Sequence, residues 1–501
     1  MLLQEFNGGL FYNRLAPHLI PSSAGVVYNN IDNKSGILEP VKDKTPIGEN
    51  VGRYFYKYKD EWISSDNIRD YLEYQEVLYW TDVSSYPIKY DGENEFRLGI
   101  VGPTTLKPIT AIDGAGNLTG TYQYAVTFYN LNDGTESQPS LFSDDLEVTS
   151  ESIRVSSLPV STDPQVDKIK IYRLGGNLTA FSLVTTLDNG TLTYVDDTID
   201  SEISGDILES YDYKEAPEGL RYLMESNGVL FGSVNDKLYF SEIGLPNAWP
   251  PLNFIDFPAV ITGMNEISNG ILVFLKYVTY MVVGSTPSTL IRDLVDSEQG
   301  CIDNRSIQKI KGSLIWVSSD GICSSNGGPA VVLSQNPLGK IELDISGSAL
   351  HDSVYYALQT NGTILSFDMR FDQYLFKELV LDIDNIGSFD DILYGVKETE
   401  LNTSFSSDDS LILNYKSPKF TEGFYTNEKI YKSIYLYCDG PLDINFYIDD
   451  ELVLNKTLTT GFNEVKLPHN KQRGYVFQFE VSGYNKLLEV EYKVTGRQNN
   501  K

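Results

Sequence analysis

The stretch "NGVLFGSVNDKLYFSE", Asn227 to Glu242, sets two short apolar runs around a polar turn, and the chain then writes it again. The polar pair and the apolar triplet after it begin at Asn227 ("NGVLF"), Asn269 ("NGILV"), Lys311 ("KGSLI"), Asp352 ("DSVYY") and Asp390 ("DDILY"), at spacings of 42, 42, 41 and 38 residues. Runs such as Val229-Leu230-Phe231 and Tyr280-Met281-Val282-Val283 are short, β-branched or aromatic, and cut off by Gly, Asn or Asp, which is strand chemistry and not a period of 3.6. A period of about 40 to 45 residues with strand content is that of one four-stranded propeller blade.

An outlying copy lies upstream, where "EVLYWTD" (Glu76 to Asp82) matches "DKLYFSE" (Asp236 to Glu242) in chemical type and "RYFYKYKDEWISS" (Arg53 to Ser65) reads as the hairpin before it. This predicts about six blades, within the usual range of four to eight. Between residues 106 and 210 the pattern changes. "GTYQYAVTFYNLNDGTESQPS" alternates aromatic and polar residues and turns on Asn-Asp-Gly, and further short strands follow it. An inserted β-sandwich of fibronectin or immunoglobulin-like kind is expected there, projecting from the propeller, with Pro and Gly at both boundaries. After Pro418 a second all-strand unit begins, running from "KSIYLYCDG" to "LLEVEYKV". The expected fold class is therefore all-β: residues 1–105 an N-terminal arm and first blade, 106–210 the inserted sandwich, 211–418 the remaining blades and 419–501 a C-terminal β-sandwich. No helix longer than a turn or two is expected; "NIRDYLEYQE" (Asn67 to Glu76), between two blade strands, is the best candidate. In "YFSEIGLPNAWPPLNF" the prolines Pro246, Pro250 and Pro251 remove ladder donors, so the chain must leave the sheet after Glu242, with Trp249 either packing back or stacking on a glycan.

No stretch approaches the roughly 18 apolar residues of a membrane helix, and the first residues lack the basic and apolar regions of an export signal, so a soluble chain without a membrane segment is expected. Cys301, Cys323 and Cys438 are too few and too widely spaced for a disulfide framework or a metal cluster, and reduced, buried thiols are expected. Lys and Arg number 39 against 69 Asp and Glu, a formal net charge of −30. Such a chain does not grip nucleic acid, because phosphate binding depends on basic side chains that release counterions.

Catalytic patterns are sparse. His18, His351 and His469 fall in different regions, and no phosphate loop, nucleophile elbow or His-Glu-x-x-His motif occurs. "SSDGICSS" (Ser318 to Ser325) matches part of the Asp-box turn of sialidase propellers, but Ser-Asp-Gly is also ordinary hairpin chemistry. The acidic pairs Asp196-Asp197, Asp390-Asp391 and Asp408-Asp409 could serve calcium or glycoside chemistry, although neighbours on a strand point to opposite faces. No enzyme, no cofactor and no metal site is expected.

Several stretches resemble the tail nozzle, or tail hub, proteins of short-tailed bacteriophages. They are "FNGGLFYNRLAPHLIPSSAGVVYNNIDNKSGILEPVK" (Phe6 to Lys42), the aromatic insertion strand, "KIKIYRLGG", "APEGLRYL" and "YFSEIGLPNAWP", in that order, over most of residues 1–420. The resemblance implies a structural virion protein, made in the host cytoplasm and assembled as a homo-hexamer below a portal and an adaptor ring. DNA would leave through its lumen without specific binding, and fibres or spikes would attach outside. The C-terminal sandwich is not part of this match. A negatively charged lumen would let DNA slide, and the loops holding Asp390, Asp391, Asp408 and Asp409 are the candidates to line it. Closure of the propeller is expected from an N-terminal strand at Gly25 to Ile31. The alternative from another class is a propeller that binds carbohydrate or degrades it, as a depolymerase or sialidase would.

Overall fold

The structure, a computed structural model, describes residues 2–3, 5–11, 20–32, 36–82, 85–203, 205–370, 375–423 and 426–496. It is all-β: among the described residues the only helical elements are short 3-10 turns such as Asp200–Glu202 and His469–Lys471. By the chain's own contacts it divides into two compact units, one of residues 68–261 and 282–293, the other of residues 1–67, 262–281 and 294–501.

The polar pair of the repeat proves to be a hairpin turn between the first and second strands of a four-stranded antiparallel meander, the sheet type of a propeller blade. A two-residue turn of this kind requires positive φ at both central positions. Asn227 and Gly228 supply 54° and 79°, Lys311 and Gly312 supply 47° and 81°, Asp352 and Ser353 supply 47° and 59°, and Asp390 and Asp391 supply 50° and 58°. Asn269-Gly270 is the exception, since only Gly270 of that pair has positive φ, 155°. In the other four repeats the chain writes the same polar pair because the sheet turns on the same left-handed corner.

In the unit of residues 68–261, one meander orders Arg69–Tyr74, Val77–Asp82, Ile88–Tyr90 and Glu95–Arg97. The segment Asn67 to Glu76, the best helix candidate in a chain where no long helix was expected, thus holds a strand. Its register, Arg69 opposite Asp82 through Tyr74 opposite Val77, ends in a left-handed pair, Gln75 (52°) and Glu76 (63°), so tertiary pairing overrides whatever helical preference the segment has. The upstream copy also shifts by one strand. Val77–Asp82 is the second strand of its meander, the counterpart of Val229–Val234, and not of the third strand Lys237–Phe240. A second meander orders Arg221–Ser226, Val229–Val234, Lys237–Phe240 and Phe254–Asp256. Tyr79, Leu98, Ala216, Leu220, Leu223, Leu230 and Trp249 form one buried cluster across the two.

Residues 109–196 build a five-stranded sheet of their own, ordered Leu178–Asp188, Lys168–Gly175, Ile109–Tyr129, Leu146–Ser156 and Thr193–Asp196. The 21-residue strand Ile109–Tyr129 pairs along its first part with Leu146–Ser156 and along its last part with Lys168–Gly175. The alternation read from the sequence puts Tyr122, Tyr124, Val126 and Phe128 in its core. Among the described residues these strands pair with one another and not with the meanders. By the chain's own contacts the segment belongs to the same compact unit as the two meanders. The amide of Gln165 donates to the carbonyls of Arg97 and Gly99, at 3.2 and 3.0 Å, and Gln138 N donates to Tyr213 O at 2.9 Å.

Ile261–Ile267, Gly270–Leu275, Thr279–Val283 and Ile291–Asp296 form a further four-stranded sheet. In the unit that contains both termini, Gln308–Ile310, Ser313–Ser318, Gly321–Ser325 and Val331–Val332 form the next. Phe274, Cys301, Trp316 and Cys323 are buried together there, with the Trp316 indole donating to Gly300 O at 2.9 Å. Ile345–His351, Val354–Gln359, Thr363–Asp368 and Leu375–Val380 follow. Last come Asn385–Phe389, Ile392–Lys397 and Glu400–Thr403, to which the early strand Thr45–Asn50 adds as the fourth.

That last pairing corrects the expected closure. The segment Gly25 to Ile31 does not complete the final meander: Val27–Asn29 lies parallel to Leu375–Val380 and antiparallel to Leu413–Lys416, and so joins the preceding meander to the C-terminal strands in one nine-stranded sheet. Thr45–Asn50 suits the closing role because a strand with Pro46 fits an edge, where the missing donor costs nothing. The hairpin Tyr54–Tyr58 and Glu61–Ser65 pairs only with itself among the described residues, so it is not the first half of the upstream meander.

The C-terminal strands make two facing layers. One holds Lys429–Cys438, Gly461–Lys466, Leu487–Gly496 and the N-terminal Leu2–Leu3; the other holds Leu413–Lys416, Asp443–Ile448, Glu451–Thr457 and Phe477–Gly483. Phe6, Leu10, Tyr28, Ile31 and Leu38 are buried in their core beside Tyr415, Phe477, Phe479 and Tyr492. Strand 413–416 and the N-terminal arm thus belong to the layers whose start was expected after Pro418.

Within the nine-stranded sheet Asp368 is fully buried, its carboxylate 2.5 Å from the Arg370 guanidinium and 3.6 Å from the Lys377 ammonium. Burial works to raise the Asp368 carboxyl, but Arg370 and Lys377 outweigh it and hold the group below its usual range. A carboxyl depressed on folding adds stability above its unfolded value of about 3.9 and loses it as pH falls through the lower folded value. Urea denaturation between pH 7 and 3 should therefore show a steep acid limb. Asp368→Asn should cost about 1–3 kcal/mol at pH 7 and flatten that limb, and an equal slope in both proteins would refute the assignment.

Candidate ligand-binding cleft and the placement of the acidic residues

The four lumen candidates lie in two separate loops of the unit that holds both termini. Asp390 and Asp391 are the exposed corner between Asn385–Phe389 and Ile392–Lys397, and Asp390 is ion-paired with Lys57. Asp408 and Asp409 are exposed in the loop before Leu413–Lys416. Their backbone carbonyls accept from Lys42 Nζ at 2.8 Å and Asp43 N at 3.0 Å. One of the four is thus already paired with a cation, and the loop holding the other pair is tied to the N-terminal arm.

Asp196, the last residue of strand Thr193–Asp196, is buried, and Asp197, just beyond the strand, is exposed. Asp197 accepts from Asn117 N at 2.6 Å at the surface. Asp196 is fully buried, 2.5 Å from the guanidinium of Arg173, which is buried too, and it accepts the Tyr124 hydroxyl at 2.6 Å. Arg173 also donates to Asp200 at 2.8 Å and to Thr198 O at 2.9 Å. The glycines of "YRLGG" make room for this knot: a Cβ at Gly176, where φ is 59°, would come within 2.3 Å of Asp200 Oδ2. The cluster holds the insertion together; it is closed to any substrate.

Other candidates resolve as structural. His351 ends a strand, His469 lies in a 3-10 turn, and His18 lies outside the described residues. The Ser-Asp-Gly of Ser318 to Ser325 is a hairpin turn whose Asp320 binds Lys340 and the Gln299 amide, each at 2.8 Å. The three cysteines are free and buried, and burial pushes the Cys301 and Cys323 thiols up to about 12. Trp249 is 2% exposed and its indole donates to Pro246 O at 2.9 Å, so it packs back on its own loop and offers no face to a sugar. Among the described residues no group of three or more His, Cys, Asp or Glu could hold a metal ion.

The sequence did not disclose a cleft of about 890 Å³ inside the unit of residues 68–261, within the usual size range of ligand sites. It lies where insertion loops around Asn130 to Glu136, Pro164 to Lys170 and Gly205 to Tyr213 meet the hairpin bearing Lys89 and Phe96 and the loop Gly244 to Ala248. The only signal in the sequence was the Asn-Asp-Gly turn, read there for its backbone alone. Both lysines of the wall are neutralised. Lys89 is 2.6 Å from Asp133, and Lys170 is 2.7 Å from Glu136, which also accepts from the Thr127 and Tyr172 hydroxyls at 2.7 Å. Burial works to raise the Asp133 carboxyl, and Lys89 overrides it to hold the group below its usual range. Burial and the Glu136 carboxylate both push the Tyr172 phenol up, so it stays a donor. Asp91, Asp167 and Glu209 line the same cleft, are exposed, and form no salt bridge among the described residues.

No known protein family and no curated protein matches the sequence. Among solved structures, the chain is similar to BamB from Moraxella catarrhalis at 10% identity, covering 68% of this chain and 94% of that one, with a TM-score of 0.29. It is similar to the WD40 repeats of RRP9 at 8% identity, covering 74% and 99%, with a TM-score of 0.32. A computationally designed protein matches at 12% identity, covering 71% and 99%, with a TM-score of 0.27. Scores this low carry neither a fold nor an activity over to this chain.

Proposed function

We propose that this chain is a structural subunit of a short-tailed phage virion, the wall of a homo-hexameric tail nozzle through which DNA leaves. The observation that carries the reading is the order of the stretches that resemble that family, from Phe6 to Lys42 through the insertion to "YFSEIGLPNAWP". Physical grounds support it. We read the six four-stranded sheets as blades of one propeller, with Thr45–Asn50 completing the last blade and residues 106–210 and the C-terminal layers as two sandwich domains. A propeller suits a conduit wall because each blade packs on its neighbours and leaves only short edges. The net charge of −30 disfavours tight contact with DNA. Asp391, Asp408 and Asp409 are the acids we assign to the lumen, with Asp390 weakened there by Lys57. An adaptor ring and fibres or spikes are the partners this role calls for.

Imaging of virions from a lysate that contains the chain tests the reading. Six copies in a ring around a channel, with a predominantly acidic inner surface, are expected. A chain that stays monomeric in particles, or a basic lumen, would overturn it.

A further inference from the structure

We propose that the cleft in the unit of residues 68–261 binds a linear organic polycation of the polyamine class. The inference does not depend on the virion reading.

Its wall offers acceptors and negative charge but no spare donor of positive charge. Lys89 and Lys170 are each held by a carboxylate, while Asp91, Asp167 and Glu209 form no salt bridge among the described residues. Three further oxygens on lining residues are buried and accept nothing among the described residues: Gln165 Oε1, Ser210 Oγ and Asn247 Oδ1. Gln165 is 3% exposed and Ser210 2%. The Gln165 amide cannot be turned round to satisfy itself. Its nitrogen donates to two backbone carbonyls, of Arg97 and Gly99, so the oxygen is the atom left over. Asp91 Oδ1 accepts from Glu93 N and Asn94 N at 2.8 Å and Asp167 Oδ1 from Leu131 N at 2.9 Å, so these carboxylates lack a cation and not every hydrogen bond. Buried polar atoms normally have partners, and unmet acceptors beside carboxylates that hold no cation call for a ligand rich in N–H donors.

The arrangement selects among such ligands. An anion would meet three carboxylates that hold no cation. A single metal ion needs ligands that converge, and no group of three does so among the described residues. Acceptors spread over a cleft of about 890 Å³ instead match several ammonium groups spaced along a flexible chain, whose methylenes can lie on the rings of Phe96 and Tyr213.

Calorimetric titration of the full chain with spermine at low salt tests this, with saturable binding at one site expected. Because a chain of charge −30 attracts any polycation, the controls matter. Asp167→Asn with Glu209→Gln should weaken binding at least tenfold, whereas Asp408→Asn with Asp409→Asn, the same charge change elsewhere, should alter it less than twofold. All four are exposed, and the Leu131 N bond to Asp167 Oδ1, at 2.9 Å, can be kept by the amide oxygen of the asparagine; unchanged melting temperatures check that both double variants fold. Ser210→Ala removes a hydroxyl that has no hydrogen-bond partner among the described residues; it should leave the melting temperature unchanged and weaken spermine about threefold. Equal losses in the two double variants, an unaffected Ser210→Ala, or binding of neutral maltohexaose but not of spermine would each overturn the proposal.

Discussion

Asp196→Ala should destabilise the insertion by about 3–5 kcal/mol, the range for breaking a buried ion pair by removing one partner. The cost arises at Arg173, which has no exposed side-chain surface and would keep only Asp200 and one carbonyl, and at Tyr124, whose hydroxyl would lose its acceptor. With total stabilities of about 5–15 kcal/mol typical of a domain, a loss of this size should leave residues 106–210 partly unfolded at moderate urea. Urea titration followed by proteolysis at the insertion reads it. Replacing the three charges together, Arg173→Met with Asp196→Leu and Asp200→Asn, should recover part of the loss, because Asp200, which also pairs with Arg173, is then not left as an uncompensated charge. A single variant as stable as the parent would mean that the knot is not what holds these strands.

Deleting residues 1–43 should abolish the cooperative unfolding of the C-terminal layers. The segment supplies Phe6, Leu10, Tyr28, Ile31 and Leu38, each no more than 1% exposed, to their core. At about 1.5–3 kcal/mol for each fully buried large side chain, the loss rivals the whole stability of a domain. The gentler probe is Tyr28→Ala, expected to cost about 3–5 kcal/mol by analogy with aromatic-to-alanine changes in cores. It also removes a hydrogen bond to Phe6 O and an edge contact with the Tyr415 ring. Thermal melts followed by circular dichroism measure both. The effect expected here is loss of core, not loss of the final meander, because Thr45–Asn50 remains in the truncated chain to pair with Glu400–Thr403. An unchanged melt would refute the placement of the arm.

What the sequence alone determined was local. Alternation in "TYQYAVTFY" picked out Tyr122, Tyr124, Val126 and Phe128 as one core face, because a strand has a period of two whatever it pairs with, but the face expected to meet solvent is covered as well, with Ala125 and Thr127 buried. The recurring polar pairs marked the corners, because only certain residues tolerate positive φ twice in succession. The prolines after Glu242 ended a strand for want of a donor. The segment Asn67 to Glu76 shows the limit of such reasoning, since its pattern does not say that Val77–Asp82 will fold back on it. What only the tertiary structure decided depends on partners far away in the chain. Thr45–Asn50 meets Glu400–Thr403 across some 350 residues, and nothing in "TPIGEN" names that edge. Arg173 finds Asp196 and Asp200 only once a sheet has curled round them. The cleft exists where loops of the insertion come to rest against a hairpin and a proline-rich loop. Its character follows from which acids find a lysine there and which do not, and side-chain pairing of that kind leaves no period in a sequence.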